Sequence, residues 1–274
     1  MTLAQMIHGA WFWRGLAAAL LAAAPCAMVG VFLYLRRMSL VADALSHIAL
    51  LGIVLAFLIT GSLSVGAFIL GALITGAVAG LSMHSLAANK LAREDAAVGI
   101  VFTAMFALGV ILLTTSVKNA HLDTHCVLFG DVLGVSDASL WMLAATAPGV
   151  ALVIFALWRW LALSTFDEGT ARTLGVPVGA VQAALILLAS WTTTASFEAV
   201  GAILAVAMMV VPAATAHLLS DRLHHMIGWA LAHAALSAVL GMIASVLLNV
   251  STSGMMVVVG GALYGGAFVW RRMR

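Results

Sequence analysis

SLVADALSHIALLGIVLAFLI, residues 39–59, is an apolar run of membrane-spanning length that carries a carboxylate and an imidazole one helical turn apart. About 20 apolar residues cross a bilayer, and a helix satisfies every backbone polar group within its own segment. An ionised carboxylate at that depth costs about 2.5–3.5 kcal/mol on insertion scales, so Asp43 asks for a reason. Asp43 and His47 stand four apart, on one helix face, with Cβ atoms roughly 5–6 Å apart. One carboxylate oxygen and one imidazole nitrogen can then reach a single cation, and Ser46 adds an oxygen beside them. Plainer roles compete. Asp43 could cap its helix or pair with Arg36 and Arg37, His47 could bond a carbonyl, or the two could relay a proton. One Asp and one His do not complete a coordination shell, since zinc takes four ligands and manganese or magnesium about six. Two copies meeting at a dimer axis would supply two of each.

The rest of the chain has the same character. Of 274 residues, 64% are hydrophobic and 8% charged, where a soluble domain carries about 25% charged residues. This is an all-α polytopic membrane protein, expected to form one transmembrane domain over residues 1–274 with 8–9 spans. Nine candidates lie near 12–35, 40–59, 63–83, 96–116, 139–159, 177–196, 199–219, 226–248 and 254–270. The gap at 196–199 (SFEA) and the short last span are the weakest signals. The run at 16–35 is too long for the h-region of a cleavable signal and reads as a retained span. Cys26 and Cys126 give neither a disulfide framework nor a metal pair. No internal repeat is visible.

Lysine and arginine set the orientation. With the N-terminus outside, the inner segments hold Arg36, Arg37, Lys90, Arg93, Arg159, Arg172, Arg222, Arg271, Arg272 and Arg274, and the outer ones only Arg14 and Lys118. The C-terminus is therefore expected in the cytoplasm. Small residues recur every four at Ala67, Gly71, Thr75 and Ala79, and again at Gly261 and Gly265. Such faces let helices approach closely in lipid, and packing within one chain is the expected use. The four prolines, Pro25, Pro148, Pro177 and Pro212, lie in or beside spans, and Pro212 removes an N–H from the seventh.

Further candidates are weaker. His233 shares a face with Ser237, Gly241 and Ser245 and reads first as a packing histidine, second as a pathway residue. His121, Asp123 and His125 sit in the outer segment KNAHLDTHCVLFGDVLGVSD (118–137), where solvated polar residues are the default and cation capture at an external mouth is the sharper reading. Glu198 reads as an interfacial charge. STFDEGTARTLGVP (164–177) carries caps at both ends: Thr165 and Glu168 as a capping box, Gly175 at the C′ position and Pro177 as a stop, with Glu168 and Arg172 paired at i,i+4. The expected product is a helix of about two turns at the cytoplasmic surface, able to receive force from a partner. The chain has no P-loop, HExxH, GxSxG or kinase signature, and no basic, aromatic-interleaved patch for nucleic acid.

Six ordered blocks resemble the inner-membrane permeases of metal-importing ABC transporters of the zinc, manganese and iron type. They are RRMSLVADALSHIALLGI (36–53), AREDAAVGIVFTAMFALGVIL (92–112), LFGDVLGVS (128–136), FDEGTARTLGV (166–176), FEAVGAILAVAMMVVPAATAHLLSDRL (197–223) and SGMMVVVGGALYG (253–265). The resemblance implies an ABC importer permease in the bacterial cytoplasmic (inner) membrane, with no permanently bound cofactor and no enzymatic activity of its own. It also implies partners: a cytoplasmic ABC ATPase, an extracytoplasmic metal-binding protein, and a second copy or paralogue. The family's metal-contacting Asp and His would fall on Asp43 and His47. Its coupling role would fall on the segment near 166–174, with Asp167, Glu168, Ala171, Arg172, Leu174 and Gly175 as the ATPase-facing candidates. One departure is Leu50-Leu51, where family members often place proline, so a local kink is not expected to carry over. His217, just after PAATA, receives no role. The cargo would be a divalent manganese, zinc or iron ion. The rival class is an ATP-independent, proton-coupled metal carrier, in which the capped segment would be idle; a non-transporting scaffold is the remaining one.

Overall fold

The computed structural model describes residues 9–61, 65–89, 91–116 and 132–273. Eleven helices are found among them: α1 Ala10–Leu35, α2 Ser39–Thr60, α3 Val65–Ala88, α4 Glu94–Ser116, α5 Asp137–Ala156, α6 Trp158–Phe166, α7 Glu168–Thr173, α8 Val178–Val200, α9 Ala202–Leu219, α10 Leu223–Leu248 and α11 Thr252–Met273. Nine of these described helices are long and apolar enough to cross a membrane, and they match the nine candidate spans closely. α2 runs unbroken through Leu50 and Leu51.

α1 is the hub. It packs against α9, α10, α8 and α5, and its alanines make that possible. Ala18, Ala22, Cys26 and Ala27 are all at most 2% exposed, and the backbone at Gly30 comes so near the Met209 carbonyl that a Cβ there would stand 2.0 Å from its oxygen. In lipid such close backbone approach supplies the dispersion contact that replaces a hydrophobic drive. α4 and α11 are the opposite case, each only 17% buried along the span.

The small-residue stripes divide accordingly. Gly71 and Gly52 face each other between α3 and α2, where an added Cβ on either would meet the other's carbonyl oxygen at 2.3–2.4 Å. This stripe packs within the chain, as expected. Gly261 and Gly265 meet no neighbour among the described residues, so the intrachain use expected of that pair is not found there.

Two breaks differ from the sequence expectation. The SFEA gap is helical: α8 continues to Val200, and the break falls at Gly201 with φ 81° and ψ 164°, a region open essentially to glycine alone. The break is buried, with Ser196, Ala199, Val200 and Ala202 at most 2% exposed. Polar backbone freed inside a membrane protein must find partners, and Ser253 donates its hydroxyl to the Val200 carbonyl at 3.1 Å. The fifth span ends earlier than expected, at Ala156. The WRWLALSTF stretch after it forms the separate helix α6.

The two ends of the bundle are tied differently. At one, Arg14 bonds the Asp137 carboxylate and the Val135 carbonyl. At the other, arginine-rich end, Arg36 reaches Ser164 and Thr165 on α6, and Arg271 reaches the His217 carbonyl.

Candidate functional site

Helix α2 begins at Ser39 with no side-chain cap, so Asp43 does not cap it. Arg36 is turned away toward α6, and among the described residues the ionic contact of Asp43 is with His47. Asp43 Oδ1 stands 3.7 Å from His47 Nε2. That is longer than a hydrogen bond, so the two groups converge without consuming each other's lone pairs. The Asp43 side chain is 55% exposed and that of His47 32%. His47 makes no hydrogen bond to a carbonyl among the described residues.

The pair lines a cavity of about 240 Å³. Its other walls are Ser46 from α2, Ala202, Ile203, Val206 and Ala207 from α9, and Val257 from α11. The first turn of α9, immediately after the Gly201 break, thus forms one side of the chamber that holds the carboxylate and imidazole. Ser46, fully buried, donates its hydroxyl to the Asp43 carbonyl at 2.7 Å. The remaining walls are apolar. A cation in this space therefore finds its charged and strongly coordinating partners on α2 alone, too few for a full shell from one chain.

His233 is placed beside this chamber, not in it. Its Nε2 lies 3.2 Å from the Gly260 carbonyl and its Nδ1 3.4 Å from Ser237 Oγ, while Ser237 donates to the His233 carbonyl at 2.8 Å. The Nε2 contact joins α10 to Gly260 of α11, while the Ser237 contacts stay within α10. The His233 pocket, about 10 Å³, shares Ala207 and Val257 with the Asp43/His47 chamber. His121, Asp123 and His125 lie outside the described residues, as does Cys126. No cluster of three or more His, Cys, Asp or Glu able to hold a metal occurs among the described residues.

At the arginine-rich end the capped segment is present, with one correction. The N-cap of α7 is Asp167, not Thr165. The Asp167 carboxylate accepts from the Thr170 amide at 2.8 Å and from the Thr170 hydroxyl. These bonds hold its pKa below the ordinary carboxylate value, because they favour the charged form. Thr165 instead donates to the Leu161 carbonyl within α6 and accepts from Arg36. The other end closes as expected: Gly175 has φ 77°, the Val176 amide reaches the Ala171 carbonyl and the Gly175 amide that of Arg172, the paired bonds of a Schellman motif. Glu168 and Arg172 are ion-paired. Ala171 is fully buried and anchors the helix, whereas Leu174 is 67% exposed and Phe166 61%. Two apolar side chains flank a charged helix of six residues, fixed at both ends and facing outward.

A sequence model of the ABC 3 transport family matches residues 10–271. The chain is 38% identical over 264 residues to the manganese transport system membrane protein MntC of Halalkalibacterium halodurans, covering 96% of this chain and 88% of that one. It is 35% identical over 205 residues to the zinc transport system membrane protein TroD of Treponema pallidum, covering 71% of this chain and 56% of that one. Among solved structures it is similar to PsaBC from Streptococcus pneumoniae in complex with Fab, with a TM-score of 0.85 and 30% identity, covering 97% of this chain and 95% of that one.

Proposed function

This chain belongs to the ABC 3 transport family as a transport subunit of the membrane, and from that premise we propose that it moves a divalent ion of the manganese or zinc kind past Asp43 and His47. ATP hydrolysis belongs to a separate partner chain. The observation that carries the reading is the cavity of about 240 Å³ into which α2 presents a carboxylate and an imidazole 3.7 Å apart. Manganese accepts the carboxylate and zinc favours the imidazole, in keeping with the named substrates of the relatives.

The arginine-rich end is the cytoplasmic one under the positive-inside rule. The ion enters from the opposite end, delivered by an extracytoplasmic binding protein, and meets Asp43 and His47 before release to the cytoplasm. The exposed face of α7, with Glu168, Arg172 and Leu174, receives the ATPase. A second copy or a paralogue closes the open side of the chamber beside the thinly buried α4 and α11. Coordination that is incomplete in one chain suits a transient stop, because a full shell would hold the ion. Metal-dependent uptake that stops on ATP depletion with the proton gradient intact separates this reading from a proton-coupled carrier.

The test is uptake by cells carrying Asp43→Ala or His47→Ala. Both variants are expected to abolish metal accumulation while membrane levels and assembly with the ATPase persist. Normal accumulation in both rejects the assignment.

A further inference from the structure

The turn between α1 and α2 is built with more care than a connector needs. The Arg36 amide bonds the Phe32 carbonyl, that of Arg37 the Tyr34 carbonyl and that of Met38 the Leu33 carbonyl. Arg37 takes a left-handed conformation at φ 59°, which is unfavourable for a non-glycine residue. Two different helices then grip the turn. Arg36 donates from Nε to Thr165 Oγ1 at 3.1 Å and from a terminal nitrogen to Ser164 Oγ at 2.7 Å. Gln182 on α8 reaches Met38 Sδ at 3.8 Å. Ser164 and Thr165 donate in turn to carbonyls of α6, so each hydroxyl is oriented to accept from Arg36.

Beneath the turn lies a cavity of about 280 Å³, lined among others by Arg36, Ser164, Thr165, Glu168 and Gln182. Burial lowers the pKa of Arg36, and the Glu168 carboxylate on α7 opposes that shift. The guanidinium thus shares this cavity with Glu168 of α7 while it is bonded to the last turn of α6, at Ser164 and Thr165, three and two residues before the Asp167 cap. Asp43 follows Arg36 by seven residues along the same chain, within the first two turns of the continuous helix α2.

We propose that Arg36 is the strut that carries displacement of α7 to α2, making it a positioning residue for Asp43 and His47. The inference rests on the reading of α7 as the ATPase-receiving helix. Movement of α7 shifts the end of α6, the two hydroxyls carry Arg36 with them, and the rigid 36–38 turn tilts the start of α2. The open volume beneath gives the guanidinium room to travel without losing its partners. A planar, five-donor fork holds two hydroxyls at once, whereas lysine offers a single flexible point.

The test uses the complete transporter, this chain with its ATPase and its metal-binding protein, in vesicles supplied with Mn²⁺ or Zn²⁺. The readout is metal delivered per ATP hydrolysed. Arg36→Ala is expected to lower that ratio about fivefold or more with hydrolysis largely retained, the scale of coupling losses along such networks. Arg36→Lys is expected to restore part of it. Ser164→Ala combined with Thr165→Val, which keeps the guanidinium, should reproduce the defect and stands in should the alanine variant fail to assemble. An unchanged ratio, or uptake and hydrolysis falling in proportion, overturns the inference. A wild-type complex that moves neither metal sinks the transport reading and the strut together; a wild-type complex that works alongside an unaltered Arg36 variant sinks the strut alone.

Discussion

The imidazole of His47 packs against two phenylalanines of α4, its centroid 5.6 Å from that of Phe106 and 5.8 Å from that of Phe102. Phe102 and Phe106 are themselves stacked at 5.8 Å. An imidazole with no hydrogen bond to orient it among the described residues owes its direction to these rings. Aromatic contacts of this kind are worth about 0.5–1.5 kcal/mol. Phe106→Ala is thus expected to weaken apparent metal affinity about two- to tenfold, without the complete loss expected of His47→Ala. The measurement is uptake rate against metal concentration. A Phe106→Ala variant with unchanged half-saturation would show that the ring does not orient His47.

Glycine at the α2–α3 contact fixes where that imidazole stands. Gly52→Ala and Gly71→Ala each drive a methyl to 2.3–2.4 Å from a carbonyl oxygen of the facing helix. Backbone cannot rotate away as a side chain can, so α2 must move. Overpacking of this sort costs about 1–3 kcal/mol. Both variants are expected to lower the thermal midpoint of the purified protein and to reduce uptake. Gly261→Ala and Gly265→Ala, which meet no neighbour among the described residues, are expected to leave the fold of the single chain unchanged. Equal destabilisation in all four would contradict the packing described.

Much of this was legible in the sequence because the relevant signals are local. A charge inside an apolar run marks itself, and Asp43 with His47 four residues on needs only helical geometry to become a pair. Nine spans follow from hydropathy for the same reason. The walls of the chamber are not local: Ala202, Ile203, Ala207 and Val257 lie more than 150 residues from Asp43 and are ordinary apolar residues until α9 and α11 pack beside α2. The apolar pattern sets the α8–α9 break at 196–199, where SFEA interrupts it. Ser196 is instead buried beside the Cys26 thiol at 3.5 Å, and the break falls at the glycine that can adopt its dihedrals. At α7 two caps compete within three residues. Asp167 wins because its carboxylate takes both the amide and the hydroxyl of Thr170, while Thr165 is occupied within α6 and by Arg36.

The Asp167 cap has a pH signature with a definite sign. Its carboxylate pKa is depressed by the Thr170 bonds from the ordinary value of 3.8. A depressed native pKa means the cap is fully effective above the unfolded value and is lost as pH falls through the native one. Local order in α7 should therefore be flat at neutral pH and fall only in acid below that ordinary value. Hydrogen exchange at the Thr170 amide reports it directly. Asp167→Asn, which keeps an acceptor of comparable capping strength, should preserve protection and abolish the acid dependence, whereas Asp167→Ala should lose protection at every pH. Protection that survives in the alanine variant would show that the cap does not hold the helix.

Gly201 offers the sharpest link between backbone and site. Its φ of 81° with ψ of 164° is a conformation in which a Cβ costs about 1–3 kcal/mol, and the surroundings leave little room to escape, since Val200 and Ala202 are at most 2% exposed. Gly201→Ala must therefore either keep the break under strain or let α8 run on and swing the first turn of α9. That turn supplies Ala202 and Ile203 to the wall opposite Asp43 and His47. The expected outcome is a lower thermal midpoint together with a loss of uptake larger than that of Gly52→Ala, because the chamber itself changes shape. Ser253→Ala removes the hydroxyl that serves the Val200 carbonyl and leaves that buried acceptor short of a partner, at a cost of about 1–3 kcal/mol, so it should reproduce the stability loss with a milder transport defect. Thermal unfolding in detergent and vesicle uptake on the same preparations separate the two effects, and a Gly201→Ala protein with wild-type values in both would show that the break is not what shapes the chamber.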